Sequence, residues 1–174
     1  MTIIKAEQIH FDSIIKFYYD LIESMRDAEF RPKWEKDVYP TRDFIQNSIK
    51  NGELYIGIID GDIVGAMVIN QENNDGYHAV KWNVQADNGE IAVLHILAVS
   101  PRRQRQGLAK KMVDYAINAC KSNGIKALRL DVLISNVPAQ KLYAEHGFAY
   151  IATVQLYYED TGLMDFMLYE LPLG

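Results

Sequence analysis

The sequence predicts an α/β (α+β) fold in which helices pack on a mixed sheet. Three observations lead to this prediction. Strand-like and helix-like segments alternate along the chain, and a nearly continuous apolar run at 91–99 has the length of a buried central strand. In addition, 49% of the 174 residues are hydrophobic, which is enough for a sizeable core. At this length one compact domain, residues 1–174, is expected.

The first fifty residues predict one strand and two helices. A short apolar segment at 3–6 indicates the strand. From 11 to 27 apolar residues recur at spacings of three and four, which is typical of an amphipathic helix. Residues 30–40 contain two prolines and break this pattern, so we expect an ordered loop. Thr41 can then cap a second helix over 42–50.

A hairpin and a central strand follow. The β-rich segments 54–59 and 63–69 flank Asp60-Gly61, a favoured two-residue turn. Residues 79–85 alternate only weakly between apolar and polar, so strand and loop both stay open there. The run at 91–99 predicts the central strand.

The last third of the chain predicts two more helices and three strands. Glycines mark the ends of both helices. The segments in chain order are a helix from Leu108 that ends at Asn123-Gly124, a strand at 126–134, a helix at 137–146 closed by Gly147, and strands at 148–157 and 163–171.

Composition excludes several classes of function. Eighteen basic and 23 acidic residues give a net charge of −5, which argues against general nucleic-acid binding. The N-terminus lacks a signal-peptide run and no stretch is apolar enough to span a bilayer. We therefore expect a cytoplasmic protein with neither a nucleic acid nor a membrane as partner.

The cysteine and histidine residues predict neither a disulfide nor a metal site. Cys120 is the single cysteine and falls in an amphipathic helix, so a packed thiol is expected rather than a nucleophile. His10, His78 and His146 do not have the spacing of metal ligands.

The segment 97–111 predicts an anion site. An apolar strand end runs into a short loop and then into a helix, which directs several backbone N–H groups to one spot. Gly107 and Ala109 add little side-chain bulk there. The positive charges at this junction are Arg102, Arg103, Arg105, Lys110 and Lys111.

Two motifs in this region resemble those of a known family. Gln104-Arg-Gln-Gly-Leu-Ala109 resembles the Gln/Arg-x-x-Gly-x-Gly/Ala loop of the GCN5-related N-acetyltransferase (GNAT) superfamily, and the stretch from Asn136 to Phe148 is similar to its Asn-x-x-Ala-x-x-Leu-Tyr-x-x-x-Gly-Phe motif. The resemblance implies a mixed six- to seven-stranded sheet, splayed between strands 4 and 5 and flanked by about four helices. It also implies acetyl-CoA as co-substrate and transfer of its acetyl group to a primary amine.

The resemblance further implies which residues hold the co-substrate. Backbone of the fourth strand would hold the pantetheine arm, loop amides the diphosphate, and the second motif would complete the site. Neither a dinucleotide-binding nor a Walker glycine pattern is present. The implied set is Leu97, Ala98, Val99, Gln104, Arg105, Gln106, Gly107, Leu108, Ala109, Lys110, Asn136 and Tyr143. For Asn136 a helix N-cap is an equally physical role.

Two side chains are candidates for proton transfer. Tyr143 matches the family tyrosine that protonates the departing sulfur, although an amphipathic core tyrosine would look the same. His95 is the candidate base because imidazole titrates near neutral pH, with a satisfied core histidine as its alternative. Glu90 is a weaker candidate base. Val93 stands where several relatives carry an acid or a second histidine.

The last predicted contacts are those with the substrate that accepts the acetyl group. Aromatic residues of the first long loop and of the final hairpin, Trp34, Tyr39 and Tyr157, are predicted to contact the substrate, and Asp37 could attract a cation. Small-molecule and protein amines both stay open as acceptors. Family resemblance allows a homodimer. A different class of function, a non-catalytic acyl-CoA-binding or sensing module, stays open because of Val93.

Overall fold

A computed structural model of the chain describes residues 1–103 and 105–174. Seven strands and four α-helices lie within these residues. In chain order they are β1 (Thr2–Lys5), α1 (Phe11–Ser24), α2 (Arg42–Lys50), β2 (Leu54–Ile59), β3 (Asp62–Asn70), β4 (Ile91–Val99), α3 (Leu108–Ser122), β5 (Ala127–Leu133), α4 (Val137–Glu145), β6 (Ala149–Tyr158) and β7 (Gly162–Pro172).

The strands form one mixed sheet in the order β1-β2-β3-β4-β5-β7-β6. Pairing between β4 and β5 is parallel, whereas β1–β2, β2–β3, β5–β7 and β6–β7 are antiparallel. Between the described residues of β4 and β5 the ladder pairs Ile91–Val93 with Ala127–Arg129 and goes no further. The predicted α/β class with a mixed sheet is confirmed, and this short ladder agrees with a sheet that opens between its fourth and fifth strands.

Contacts divide the chain into two compact units. The first comprises Met1–Ile69 and His95–Met112, and the second comprises Asn70–Leu94 and Val113–Gly174. Strand β4 and helix α3 each contribute residues to both units. The assignment of 1–174 to a single domain stays a prediction.

In the first unit α1 and α2 cover the apolar face of the strands. Helix α1 buries Ile14, Tyr18 and Leu21, which recur every three or four residues on one face. Thr41 caps α2 as predicted, since its hydroxyl accepts a 3.0 Å hydrogen bond from the Phe44 amide. The β2–β3 turn adopts positive φ at Asp60 and Gly61, as the predicted hairpin requires.

The second unit packs the connection between β3 and β4 onto β5, β6 and β7. Residues 79–85, for which strand and loop were both open, follow a 3-10 turn at Asp75–Ala79 and continue as irregular chain. Tyr77 and Trp82 from this connection are 3% and 7% exposed, because both side chains fill the apolar core of the unit. The core includes Tyr77, Trp82, Val93, Leu133, Leu156, Phe166 and Leu168.

Candidate active site

Strand β4 departs from ordinary strand geometry at Ile96, and this departure is called the kink below. This residue has φ 45°, a backbone conformation that costs a β-branched side chain of the order of 1–3 kcal/mol. Its side chain is nevertheless 6% exposed and packs in the core of the first unit together with Ala98. On either side of the kink, His95 and Leu97 are half-buried. Residues held in such sparsely populated backbone conformations cluster at active sites.

His95 lies at the end of a series of aromatic rings in the first unit. Its ring centroid is 6.5 Å from that of Phe44 in an edge-on arrangement. From Phe44 the series continues through Tyr39 at 6.1 Å and Trp34 at a further 6.5 Å. Three residues predicted to act at the site, His95, Tyr39 and Trp34, are thereby brought together. Trp34 and Tyr39 also pack against the core, so both have a structural role in addition to the predicted one.

The predicted diphosphate loop leads into the first turn of α3. Arg105 and Gly107 both adopt left-handed backbone, with φ 62° and φ 70°. Loops with such conformations turn successive N–H groups inward and form anion-binding concavities. A Cβ placed on Gly107 would meet nothing within 4 Å, so this side of the loop is open. Gln104 of the predicted set lies outside the described residues.

The start of α3 adds its own donors to this loop. The helix begins at Leu108, so the amides of its first residues, Leu108 and Ala109, have no carbonyl partner within the helix. Leu108 is 4% exposed and anchors the turn in the core, while Arg105, Gln106 and Lys110 are exposed. The residues present therefore fit a diphosphate through backbone amides and surface cations.

Tyr143 on α4 is buried in the second unit. It is 8% exposed, and its ring packs edge-on against Phe148 at 5.5 Å. Burial raises the pKa of the Tyr143 phenol far above its usual value, and the nearby Asp131 carboxylate raises this pKa further. The phenol therefore keeps its proton over the whole physiological range and can serve a ligand as a neutral hydrogen-bond donor.

Asn136 and Tyr157 are two further predicted site residues in the second unit. The Asn136 side chain accepts a 3.3 Å hydrogen bond from the Ala139 amide and so caps α4, which confirms the structural alternative and leaves the co-substrate contact as a prediction. Tyr157 is 62% exposed on β6, and its carbonyl accepts a 3.0 Å hydrogen bond from the Asn74 side chain.

Sequence reasoning missed Asp131, a half-buried acid on β5. Its Oδ2 accepts hydrogen bonds from Tyr77 at 2.9 Å and from Tyr158 at 3.0 Å. Burial raises the pKa of this carboxyl, while the two phenol donors lower it. The available signal was an acid inside the apolar strand Leu130-Asp-Val-Leu133, twelve positions before Tyr143.

Glu90, the weaker candidate base, forms an ion pair with Lys126. Its Oε1 lies 2.8 Å from Lys126 Nζ, and this hydrogen bond is the main reason why the pKa of Glu90 is lowered. A carboxylate with a lowered pKa is a poor proton acceptor. Within residues 1–103 and 105–174 no group of three or more His, Cys, Asp or Glu side chains could hold a metal ion. In the same residues no helix is long and apolar enough to cross a membrane.

The sequence model of the acetyltransferase (GNAT) family matches residues 18–148. The chain belongs to this family. The match includes the kinked strand, the left-handed loop and the α4 motif, so the family identified from two motifs is confirmed.

Relatives of this GNAT chain agree with the assignment. The ribosomal protein bS18-alanine N-acetyltransferase of Haemophilus ducreyi is 36% identical over 94 residues, which cover 54% of this chain and 65% of that protein. The chain thus matches less than two thirds of that relative's length.

Two solved structures share the GNAT fold. An acetyltransferase from Streptococcus agalactiae superposes with a TM-score of 0.80 at 21% identity and covers 98% of this chain and 94% of its own. An acetyltransferase from Salmonella typhimurium, solved with its cofactor acetyl-CoA, superposes with a TM-score of 0.69 at 17% identity and covers 100% and 94%. At these identities the likeness shows the fold.

Proposed function

We propose that the protein is an acetyl-CoA-dependent N-acetyltransferase that moves an acetyl group to a primary amine. The observation on which this proposal rests is the order of backbone features in the first unit: the kink at Ile96 is followed by a loop that is left-handed at Arg105 and Gly107 and opens onto the start of α3. Such a segment can bind a ligand in which an extended arm is joined to a diphosphate.

In this proposal the chain holds the co-substrate mainly through its backbone. Leu97, Ala98 and Val99 on β4 contact the pantetheine arm. Amides and cations of Arg105–Lys110 hold the diphosphate, and Gln104 belongs to the same predicted set. The thioester of the bound co-substrate supplies the activated acetyl group.

Asp131 is the proposed residue that attracts the ammonium form of the amine and accepts its proton. A carboxylate beside the Tyr77 and Tyr158 hydroxyls attracts a cation, and its raised pKa makes it a better base than an exposed aspartate. His95 stays the second candidate base.

Tyr143 is the proposed acid. Because burial raises its pKa, the phenol keeps its proton, and its O–H can donate a hydrogen bond to the departing sulfur, which stabilises the charge that grows there as the bond to the acetyl group breaks. The presence of both Asp131 and Tyr143 supports catalysis over the alternative of a non-catalytic acyl-CoA-binding module.

We propose a polypeptide amino terminus as the first acceptor to test, since the Haemophilus ducreyi relative is named for acetylating an alanine of ribosomal protein bS18. Trp34, Tyr39 and Tyr157 are the proposed acceptor contacts, and small-molecule amines are the competing class. A cytoplasmic location and a homodimer stay predictions.

Binding of the co-substrate is tested with two matched glycine variants. Gly107 and Gly124 both have φ near +70° and both face open space, so Gly107→Leu and Gly124→Leu introduce the same backbone strain. We expect only Gly107→Leu to weaken acetyl-CoA binding in calorimetry, by about tenfold or more because each 1.4 kcal/mol of lost contact is a factor of ten. Equal affinities in the two variants would refute the loop assignment.

Transfer is tested by following thiol release from acetyl-CoA with alanine-terminal peptides and with small amines. Product formation that depends on an amine supports the transferase. The binding module would instead be favoured if acetyl-CoA bound tightly but no acceptor caused thiol release. In that case Tyr143→Phe and Asp131→Asn would also leave the affinity for acetyl-CoA unchanged.

A further inference from the structure

The Tyr18 hydroxyl and the Ile96 carbonyl form a buried hydrogen bond inside the first unit. Tyr18 Oη lies 2.9 Å from Ile96 O, and the bond joins residues 78 positions apart. Tyr18 is 1% exposed. Burial, together with the neighbouring Tyr39, raises the pKa of the Tyr18 phenol well above its usual value, so the donor proton stays in place. This hydrogen bond thereby links helix α1 to strand β4 at the kink in the strand.

This hydrogen bond compensates for an unfavourable backbone conformation. A β-branched residue at φ 45° has no intrinsic reason to stay there, because the extended region suits isoleucine far better. Two contacts oppose relaxation, namely the burial of the Ile96 side chain in the core and the Tyr18 bond to its carbonyl. A buried carbonyl that lost this donor would be driven to find another partner.

We infer that Tyr18 is a positioning residue for acetyl transfer: its hydroxyl holds the kink at Ile96 and through it orients the Leu97 backbone and the His95 side chain. The inference rests on the proposed function. Tyr18 does not need to touch either substrate. Its effect arises because His95 and Leu97 are the two direct neighbours of Ile96, and small errors in the placement of reacting groups cost large factors in rate.

The neighbouring tyrosine on the same helix provides a matched control. Tyr19 Oη donates to the exposed Asp37 carboxylate rather than to β4. Tyr18→Phe and Tyr19→Phe therefore each delete one hydroxyl from α1, and only the first deletion releases the kink. Neither change alters the loop at Arg105–Gly107.

Measurements of turnover and of ligand affinity together distinguish a positioning role of Tyr18 from a general disruption of the fold. For Tyr18→Phe we expect kcat to fall by about tenfold to a hundredfold, while the affinity for adenosine 3′,5′-diphosphate, a fragment that lacks the thioester arm, stays within about twofold of wild type. Tyr19→Phe should match wild type in both measurements. An unchanged kcat in Tyr18→Phe, or an equal loss of fragment affinity, would overturn the inference.

A ligand-free measurement keeps this test independent of the proposed function. Backbone ¹³C shifts of labelled Ile96 report its φ, and we expect them to move toward ordinary strand values in Tyr18→Phe alone. Shifts that stay in place would overturn the inference even if turnover falls. Failure of the wild-type protein to bind acetyl-CoA would refute the proposed function, whereas the shift of Ile96 would still decide whether Tyr18 holds the kink.

Discussion

Arg129 Nε donates a 3.0 Å hydrogen bond to Oε1 of Glu170, whose side chain is fully buried. The other carboxylate oxygen accepts the amides of Asn83 and Val84, at 2.9 Å and 3.1 Å. The Arg129 guanidinium also lies over the Trp82 ring, 4.1 Å from its centroid. One buried acid on β7 thus fixes the connection that precedes β4, and this connection carries Tyr77 to Asp131.

We expect Glu170→Ala to destabilise the protein by about 3–5 kcal/mol, because the change leaves Arg129 without its buried partner and two amides without their acceptor. Chemical denaturation gives the difference in unfolding free energy. Glu159, exposed in the β6–β7 turn, is the control, and Glu159→Ala should stay within about 0.5 kcal/mol of wild type. Similar losses in both variants would contradict the structural role of Glu170.

Asp131 should set the acid limb of the pH–rate profile. The carboxyl must be ionised to accept a proton, so kcat/KM should fall as the pH drops through its raised pKa. Tyr158→Phe removes a donor that lowers this pKa, and the limb should therefore move to higher pH. Tyr150→Phe is the control on the same strand, since the Tyr150 hydroxyl interacts with Thr153.

For Asp131→Asn we expect kcat/KM to fall by about 10²–10⁴-fold, with loss of that acid limb. A profile that keeps its acid limb in this variant would assign the limb to another group, and His95→Ala would then be the next variant to measure.

Asp131 should also affect the pH dependence of stability. Its pKa is higher in the folded state than the usual 3.8, so its contribution to stability is complete below that value and is lost as the pH rises through the folded pKa. Wild type should therefore lose stability relative to Asp131→Asn between about pH 4 and pH 7. Unfolding free energies of both proteins at these two pH values test this, and a constant difference would show that the pKa is not raised.

Gly76 leaves room for a neighbour that a methyl group would displace. A Cβ at Gly76 would overlap Leu156 Cδ2, which is buried in the second unit's core. We expect Gly76→Ala to cost about 1–3 kcal/mol through overpacking. A Cβ at Gly89 meets nothing within 4 Å, so Gly89→Ala in the same connection should be nearly neutral. Urea denaturation of both variants measures the difference.

Cys120 offers a probe of opening in α3. The thiol is 3% exposed, and burial raises its pKa to about 11. Native protein at pH 8 should therefore react with a maleimide far more slowly than free cysteine, and modest urea should accelerate the reaction as α3 opens. Mass spectrometry follows the single label. Labelling at the rate of free cysteine would contradict the packed thiol.

Much of the fold could be predicted because its local signals agree with its tertiary structure. Asp60-Gly61 forms the hairpin turn, Thr41 caps α2, and the apolar run at 91–99 is β4 within its predicted bounds. Helix α1 ends at Ser24, three residues before its predicted end, because an apolar periodicity does not mark where a helix stops.

The features that could not be predicted depend on distant residues. Isoleucine favours a regular strand, so nothing near Ile96 indicates positive φ, and its partner Tyr18 lies on another element. Asp131 gains its environment from Tyr77 and Tyr158, which reach it from separate segments. Residues 79–85 form no strand, since two of their amides bond to the distant Glu170 side chain instead of to a neighbouring strand. The roles proposed for Tyr143, His95 and Asn136 stay predictions.

Strand β7 lies between β5 and β6 and pairs with both along most of its length. During translation β5 and β6 emerge first, and until β7 has been synthesised β5 can pair only with β4 on its other edge, while β6 lacks its partner. The nascent chain therefore exposes two unpaired strand edges for some time, and a chaperone that shields them would improve the yield of native protein.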